Sequence, residues 1–222
     1  SGLFEKGEMV LTNLKLSSAY YSVKATNVGE KNSQNAYMGG FIARSDLSII
    51  SNCYVDDMSS FRLENATKKL AVQKTEIGAI AGYLGTGSKI KNCYNQGVVL
   101  GDGDVGGICG YFDGVMDSCY NTGNIRQINA TSLGALVGQN SYHNYYDDDV
   151  NFSGVTNCIN LGPDRDYYTN KIGLVSSSYN SSSNLNDNFS NNYNLSKFYL
   201  SAVDRRFGVQ SITKNEIDSS FF

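Results

Sequence analysis

The chain repeats itself, and an internal repeat decides the fold class of a sequence before any other feature does. Its clearest copy begins with Val105-Gly106-Gly107-Ile108-Cys109-Gly110. This block recurs at residues 77–82 and 133–138, and more weakly at 38–43 and 172–176. Each copy is followed by a second block of the form Asn92-Cys93-Tyr94-Asn95. The paired blocks predict six repeats, of which the first and the last are degenerate.

The length of the repeat predicts a stack of short β-strands. The shortest repeat, from Cys93 to Cys119, is 26 residues long and contains short runs of β-forming residues broken by Gly, Asn and Asp. The apolar spacing of a helix is absent. A unit this small buries its apolar face only against copies of itself, about 4.8 Å away along one axis. We therefore expect an all-β parallel solenoid of about six coils over residues 1–198, followed by a capping segment at 199–222 that continues into a longer protein.

The longer repeats contain additional residues, which we assign to loops inserted into an otherwise fixed coil. The predicted insertions lie at about residues 17–36, 59–74 and 139–153.

Two positions recur so regularly that stacking predicts columns of like side chains. Asparagine suits a left-handed bend, because it tolerates positive φ, and stacked amides can bond from coil to coil. The predicted bend column is Asn13, Asn52, Asn92, Ser118, Asn157 and Asn191. The next position predicts a column of small buried thiols, since no Cys-x-x-Cys pair of a zinc site is present. The thiol column is Cys53, Cys93, Cys119 and Cys158, and Cys109 is expected to fill a core position equivalent to Ala81 and Val137.

Charge and apolar content argue against two classes of partner. The chain has 18 Lys and Arg against 21 Asp and Glu, a net charge of −3, whereas nucleic acids bind basic faces. No stretch approaches the roughly 20 apolar residues of a membrane span, so we expect a chain that is not embedded in a membrane. The start lacks the charged and then apolar stretch of a signal peptide, which indicates a mature chain or a part of a longer one.

An aromatic and acidic cluster in the third insertion is the best candidate binding face. Tyrosine contacts sugars or proteins at a low entropy cost, and clustered carboxylates suit calcium. Two carboxylates at a suitable separation would also serve glycoside hydrolysis, but a solvated loop tip explains the same residues. We expect no catalytic residues and no cofactor, with calcium at the three aspartates as the alternative. The candidate residues are Tyr142, His143, Tyr145, Tyr146, Asp147, Asp148 and Asp149.

The block at 105–110 followed by Met116-Asp117-Ser118-Cys119-Tyr120-Asn121-Thr122-Gly123 resembles the GLUG-motif repeat family. The resemblance is specific over about residues 77–162. It implies a right-handed parallel β-helix of the kind found in bacterial secreted and surface proteins. These include adhesins and the non-catalytic front regions of immunoglobulin A1-specific metallopeptidases.

The repeat and the resemblance together predict a non-enzymatic module of a secreted or cell-surface bacterial protein. It would act in adhesion to a host protein or glycan, or as a rigid spacer beside other domains of its parent chain. The alternatives are a β-helical carbohydrate-active enzyme and an auxiliary substrate-binding region of a secreted metalloprotease.

Overall fold

The computed structural model describes residues 9–25, 35–65, 75–140, 154–162, 173–175, 189–195 and 209–212. Within these ranges all regular secondary structure is β-strand. The strands are β1 Met9–Thr12, β2 Lys15–Leu16, β3 Tyr20–Ala25, β4 Ala36–Gly39, β5 Ile42–Ser45, β6 Ser48–Ser51, β7 Tyr54–Val55, β8 Ser60–Asn65, β9 Thr75–Gly78, β10 Ala81–Lys91, β11 Tyr94–Asn95, β12 Val98–Gly106, β13 Cys109–Asp117, β14 Tyr120–Asn121, β15 Ile125–Asn140, β16 Gly154–Thr156, β17 Ile159–Asn160, β18 Gly173–Val175, β19 Phe189–Ser190, β20 Tyr193–Leu195 and β21 Gln210–Ile212.

Every pairing between these strands is parallel. The smaller sheet contains seven strands, β2, β7, β11, β14, β17, β20 and β21, which lie side by side in chain order. Tyr54 pairs with Tyr94 and Tyr94 pairs with Tyr120, so the repeats identified in the sequence are neighbours in space. The fold is therefore all-β and parallel, an arrangement compatible with a solenoid.

Of the described strands, fourteen belong to the larger sheet, which curls because each passage of the chain, one per repeat, adds strands to it. One series of neighbours is β1, β6, the end of β10, the end of β13, β16 and β19. A second series is β3, β8, the start of β12 and the start of β15. The first series takes one segment from each of six passages of the chain, and the second takes one from each of four.

Side chains in the first series alternate between the core and solvent, as the two-residue period of a strand requires. The inward positions Leu11, Ile50, Ile90, Met116 and Val155 share one register column and are all buried. Each fully buried aliphatic side chain contributes about 1.5–3 kcal/mol. The adjacent outward column contains Val10 at 71 %, Ile49 at 45 % and Val115 at 41 % exposure. One narrow core thus runs through successive passages.

The glycine-rich block forms a turn at which backbone segments approach each other closely. At Gly106 an added Cβ would clash with the carbonyl oxygen of Cys109, and at Gly78 it would clash with that of Ala81. Backbone segments approach this closely only where a side chain is missing. Cys109 pairs with Ala81 on one side and Val137 on the other and is fully buried, in the core position that the sequence predicts for it.

The structure corrects the assignment of the first two insertions. Tyr20–Ala25 and Ser60–Asn65 are regular strands that pair with each other, and Ser60–Asn65 also pairs with β12. The two segments extend the core because Phe61 and Leu63 are buried. Residues 26–34 and 66–74 of those insertions lie outside the described residues. In the third insertion, 139 and 140 end β15 and 141–153 lie outside them as well.

The described part of the predicted capping segment is a strand. Gln210–Ile212 pairs with Tyr193–Leu195 and gives the smaller sheet its seventh member. The other residues of 199–222 lie outside the described ranges. In the part of the chain that the structure describes, no helix is long and apolar enough to cross a membrane.

Candidate functional site

A left-handed bend connects the two sheets in each passage of the chain. The backbone φ is 52° at Asn52, 51° at Asn92 and 53° at Asn157, a conformation that asparagine tolerates better than most residues. The whole predicted bend column has positive φ: Asn13, Asn52, Asn92, Ser118, Asn157 and Asn191. The bend sets the direction in which the following residues leave the larger sheet.

The bend amides form an exposed hydrogen-bonded ladder. Asn52 Nδ2 donates to Asn13 Oδ1 at 3.1 Å, and Asn92 Nδ2 donates to Asn52 Oδ1 at 3.2 Å. Ser118 interrupts the series, and Asn157 Nδ2 donates at 2.7 Å to Asp117 Oδ1 instead. Partial desolvation raises the pKa of Asp117, but hydrogen bonds from Asn157, Thr156 and Ser118 and the charge of Lys91 outweigh it, so the pKa is lowered.

The thiol column lies directly inside the bend column. All of its cysteines are free and buried. The N–H of Cys53 donates to Cys93 Sγ at 3.4 Å, and the N–H of Cys119 donates to Cys158 Sγ at 3.3 Å. Side-chain hydrogen bonding to Cys119 and burial raise the pKa of Cys93 to about 12. Cys93 therefore acts as a hydrogen-bonding core residue whose thiol stays protonated at neutral pH.

A second asparagine column is buried, and it is not among the columns predicted from the sequence. Asn95, Asn121 and Asn160 are fully buried, with Asn95 Nδ2 donating to Asn121 Oδ1 at 2.9 Å and Asn121 Nδ2 donating to Asn160 Oδ1 at 3.1 Å. Asn95 also closes a turn, since its Oδ1 accepts from Gly97 N at 2.8 Å. The available signal was the recurrence of Asn-x-Gly at 95–97, 121–123 and 160–162.

Three half-buried tyrosines stack on the outer face of the smaller sheet. The ring centroids of Tyr54 and Tyr94 are 4.7 Å apart with an interplanar angle of 11°, and those of Tyr94 and Tyr120 are 4.6 Å apart at 7°. Lys15 Nζ lies 5.3 Å from the centroid of the Tyr54 ring, and Ile159 is the register neighbour of Tyr120 on the other side. Desolvation and the neighbouring Tyr94 raise the pKa of Tyr120 to about 12.

Polar side chains flank this stack on both sides. The bend residue precedes each tyrosine by two positions and a further polar residue follows it by two. These side chains share the outer face with the tyrosine, because residues two apart in a strand point to the same side. The intervening Cys53, Val55, Cys93 and Asn95 are buried. We call the resulting surface the Asn–Tyr strip, and define it as Asn52, Tyr54, Asp56, Asn92, Tyr94, Gln96, Ser118, Tyr120 and Thr122.

A second aromatic cluster occupies another face. Tyr83 stacks on Tyr111 with centroids 4.9 Å apart, and Tyr37 meets Tyr83 edge-on at 5.7 Å. The Arg44 guanidinium lies 5.0 Å from the Tyr83 centroid and 5.4 Å from that of Tyr37. Here the cation covers rings that would otherwise be open to a ligand.

Two carboxylates are register neighbours in the column that begins at Tyr37 of the second cluster. Glu76 pairs with Asp104, and the residues are 1 % and 5 % exposed. Paired carboxylates are the groups that glycoside hydrolysis uses. Burial keeps these two away from a polymeric substrate.

The aromatic and acidic loop predicted as the binding face, residues 142–149, lies outside the described residues, and so does the calcium site suggested at Asp147, Asp148 and Asp149. Among the residues that are described, no group of three or more His, Cys, Asp or Glu side chains is arranged to hold a metal ion.

No family model, no curated protein and no solved structure matches the chain. The resemblance to GLUG-motif repeats stays a prediction, carried by the blocks at 105–110 and 116–123.

Proposed function

We propose that the chain is a right-handed parallel β-helix of GLUG type, and that it serves as a non-catalytic binding module of a bacterial secreted or cell-surface protein. Adhesion is the role that the surface favours over that of a plain spacer. The observation that carries the proposal is the Asn–Tyr strip. A rigid ladder of backbone holds tyrosines and amides at fixed intervals on an open face, and such side chains bind partners with little loss of conformational freedom.

The rigidity of the strip supports this role. Tyr94 N donates to Cys53 O at 3.1 Å and Gln96 N donates to Val55 O at 2.9 Å, so the backbone beneath the outward side chains is fixed on both sides of Tyr94. Binding groups held in place before contact avoid part of the entropy cost of association. A spacer needs the same stacked backbone but gains nothing from an ordered aromatic surface.

The test is a binding screen of the immobilised chain against arrays of host extracellular proteins and glycans. We expect saturable binding to a ligand on the array, and its loss in a triple variant, Tyr54→Ala, Tyr94→Ala and Tyr120→Ala. The matched control removes the other aromatic cluster through Tyr37→Ala, Tyr83→Ala and Tyr111→Ala. An array without any bound ligand, or equal binding by both variants, would overturn the adhesive role.

The carbohydrate-active enzyme is the second candidate, favoured by the adjacent Glu76 and Asp104. It predicts release of reducing ends from a polysaccharide and loss of that release in Glu76→Gln and Asp104→Asn. We expect no turnover by the wild-type chain, because both carboxylates are buried. If the wild-type chain releases reducing ends and either substitution abolishes that release, the enzyme would be the better assignment and the binding module would be wrong.

A further inference from the structure

We propose that the Asn–Tyr strip binds a neutral, linear glycan that runs along the stack of tyrosines. This inference rests on the binding role proposed above and names the class of ligand. Four properties of the strip lead to it: its charge, its satisfied backbone, the orientation of its rings and the hydroxyl groups that it presents.

The strip is nearly uncharged, which favours an uncharged partner. Asp56 is its one charged residue. Desolvation raises the pKa of Asp56, but hydrogen bonds from Ser59 and Ser18 and the charge of Lys15 outweigh it, so the pKa is lowered. Asp56 is therefore held by groups of the chain itself, at 2.8 Å from Ser59 Oγ and 3.1 Å from Ser18 N. Desolvation raises the pKa of Tyr94 and Tyr120, so both phenols remain neutral at physiological pH. A polyanion would find one cation here, Lys15 at the Tyr54 end, and a basic peptide one carboxylate, Asp56, so neither meets an extended complementary charge.

The backbone of the strip offers nothing to an added peptide strand. Besides the bonds made by Tyr94 and Gln96, Tyr120 N donates to Cys93 O at 3.1 Å and Thr122 N donates to Asn95 O at 2.9 Å. Strand addition needs a sheet edge with free N–H and C=O groups. A ligand on this face is therefore recognised by side chains alone.

The orientation of the rings determines which parts of the tyrosines a ligand can reach. Both faces of Tyr94 are covered by its stacked neighbours, and the outer face of Tyr54 lies under the Lys15 ammonium. At Tyr94, in the middle of the stack, only the ring edge and the hydroxyl are left for a ligand, so a sugar ring cannot stack on its aromatic face. Recognition must proceed through hydrogen bonds.

The outward groups form a row that suits a chain of alcohols. The near-parallel stack places the phenol groups of Tyr94 and Tyr120 next to each other, and amides of Asn92 and Gln96 flank the row. Each phenol and each amide can both donate and accept, as can each sugar hydroxyl. The stacking intervals of 4.7 Å and 4.6 Å repeat this pattern along the axis, which a linear glycan can follow over several residues.

The experiment titrates the folded chain with neutral oligosaccharides of two, four and six units from β-glucan, mannan and xylan, with heparin and a basic peptide as charged probes. We expect at least one neutral series to bind, with affinity rising with length. Tyr94→Phe keeps the stacked ring and removes the hydroxyl, so we expect it to weaken binding about three- to tenfold, the value of one hydrogen bond. Tyr111→Phe is the matched control in the other cluster and should change affinity less than twofold.

The outcomes separate this inference from the proposed function. Binding of heparin or of the basic peptide in place of neutral glycans overturns the inference, as does equal loss of affinity in Tyr94→Phe and Tyr111→Phe. If the array finds a protein ligand that needs the three tyrosines while all neutral glycans fail, the glycan inference is wrong and the adhesive role stands. If no probe and no array ligand binds, both are wrong.

Discussion

The N–H of Cys158 donates to Asn192 Oδ1 at 3.0 Å, the same bond that a cysteine sulfur accepts elsewhere in the column. Asn192 is fully buried, and its Nδ2 donates to Val155 O at 2.7 Å. In the preceding passages the thiols of Cys93 and Cys119 approach the equivalent carbonyls at 3.8 Å and 3.9 Å. Each position of the thiol column therefore needs a side chain that accepts a hydrogen bond from a backbone N–H of the preceding passage and donates one to a backbone carbonyl of that passage. The amide of Asn192 does both.

This relationship predicts which substitutions Asn192 tolerates. Asn192→Leu leaves the buried N–H of Cys158 and C=O of Val155 without partners, and it should lower the free energy of unfolding by about 2–5 kcal/mol. Asn192→Cys restores both bonds, so its cost should stay under about 1 kcal/mol. Urea denaturation of the two variants measures the difference. Equal stability of the Leu and Cys variants would show that the column is filled for volume alone.

The bend column predicts a ranking at Asn92. Asn92→Ala loses the hydrogen bond to Asn52, and alanine lacks the side-chain amide that helps asparagine to adopt a φ of 51°. We therefore expect the free energy of unfolding to fall by about 1.5–3 kcal/mol. Asn92→Gly keeps the backbone conformation and should cost less. In the same column Ser118→Asn should stabilise the chain by about 0.5–1.5 kcal/mol, because it restores the missing amide. A stabilising Asn92→Ala, measured by chemical denaturation, is incompatible with this ranking.

The raised pKa values predict that stability falls in alkali. In the folded chain the pKa of Cys93 is raised from 9.0 to about 12, and the pKa of Tyr120 is raised from 10.0 to about 12. The folded state thus binds more protons above about pH 9, so this part of the stability is complete below pH 9 and is lost as the pH rises toward 12. Unfolding free energies at pH 8, 9.5 and 10.5 should decline progressively. Cys93→Ala should show a shallower decline, and identical slopes in both proteins would exclude the thiol as the source.

The glycine turn predicts a sharp contrast between neighbouring positions. Gly106→Ala forces a Cβ against the carbonyl of Cys109, so we expect a loss of more than about 3 kcal/mol or failure to fold. Ala79 follows Gly78, the register partner of Gly106, and its methyl group is accommodated in the core. Ala79→Gly should lower the free energy of unfolding by only about 1 kcal/mol. Circular dichroism and denaturation of both variants test the contrast. A fully stable Gly106→Ala would mean that the turn is looser than described.

The fold was predictable wherever the repeat returned the same residue type at the same bend. The column from Asn13 to Asn191 could be read because each member precedes the Cys position, and the offset of 26 between Cys93 and Cys119 equals the offset between paired Tyr94 and Tyr120. The seventh strand, Gln210–Ile212, could not be read, because its residues match neither block and it is recognised only by its pairing with β20.

The candidate site was harder to predict, because residue type and burial disagree there. Asparagine before glycine predicts an exposed turn, yet Asn95 and Asn121 are buried and bonded to each other. The recurring tyrosine of the second block can be seen in the sequence. Whether two of these rings stack depends on the register between strands, and the sequence does not show that register because the repeats differ in length. Tyr54 and Tyr94 are 40 residues apart and Tyr94 and Tyr120 are 26 apart, although all three rings form one stack.

The central claim is that successive passages of the chain stack in register along one axis, and distances between spin labels test it most directly. Lys15 and Gln210 are exposed and lie in one register column of the smaller sheet, six steps apart, and Thr12 and Thr156 lie four steps apart in the larger sheet. At about 4.8 Å per step, spin labels on Lys15→Cys with Gln210→Cys should give one narrow distance distribution at about 29 Å, and labels on Thr12→Cys with Thr156→Cys one at about 19 Å. Broad distributions, or a Lys15 to Gln210 distance no longer than that from Thr12 to Thr156, would contradict the stacked arrangement and the Asn–Tyr strip that depends on it.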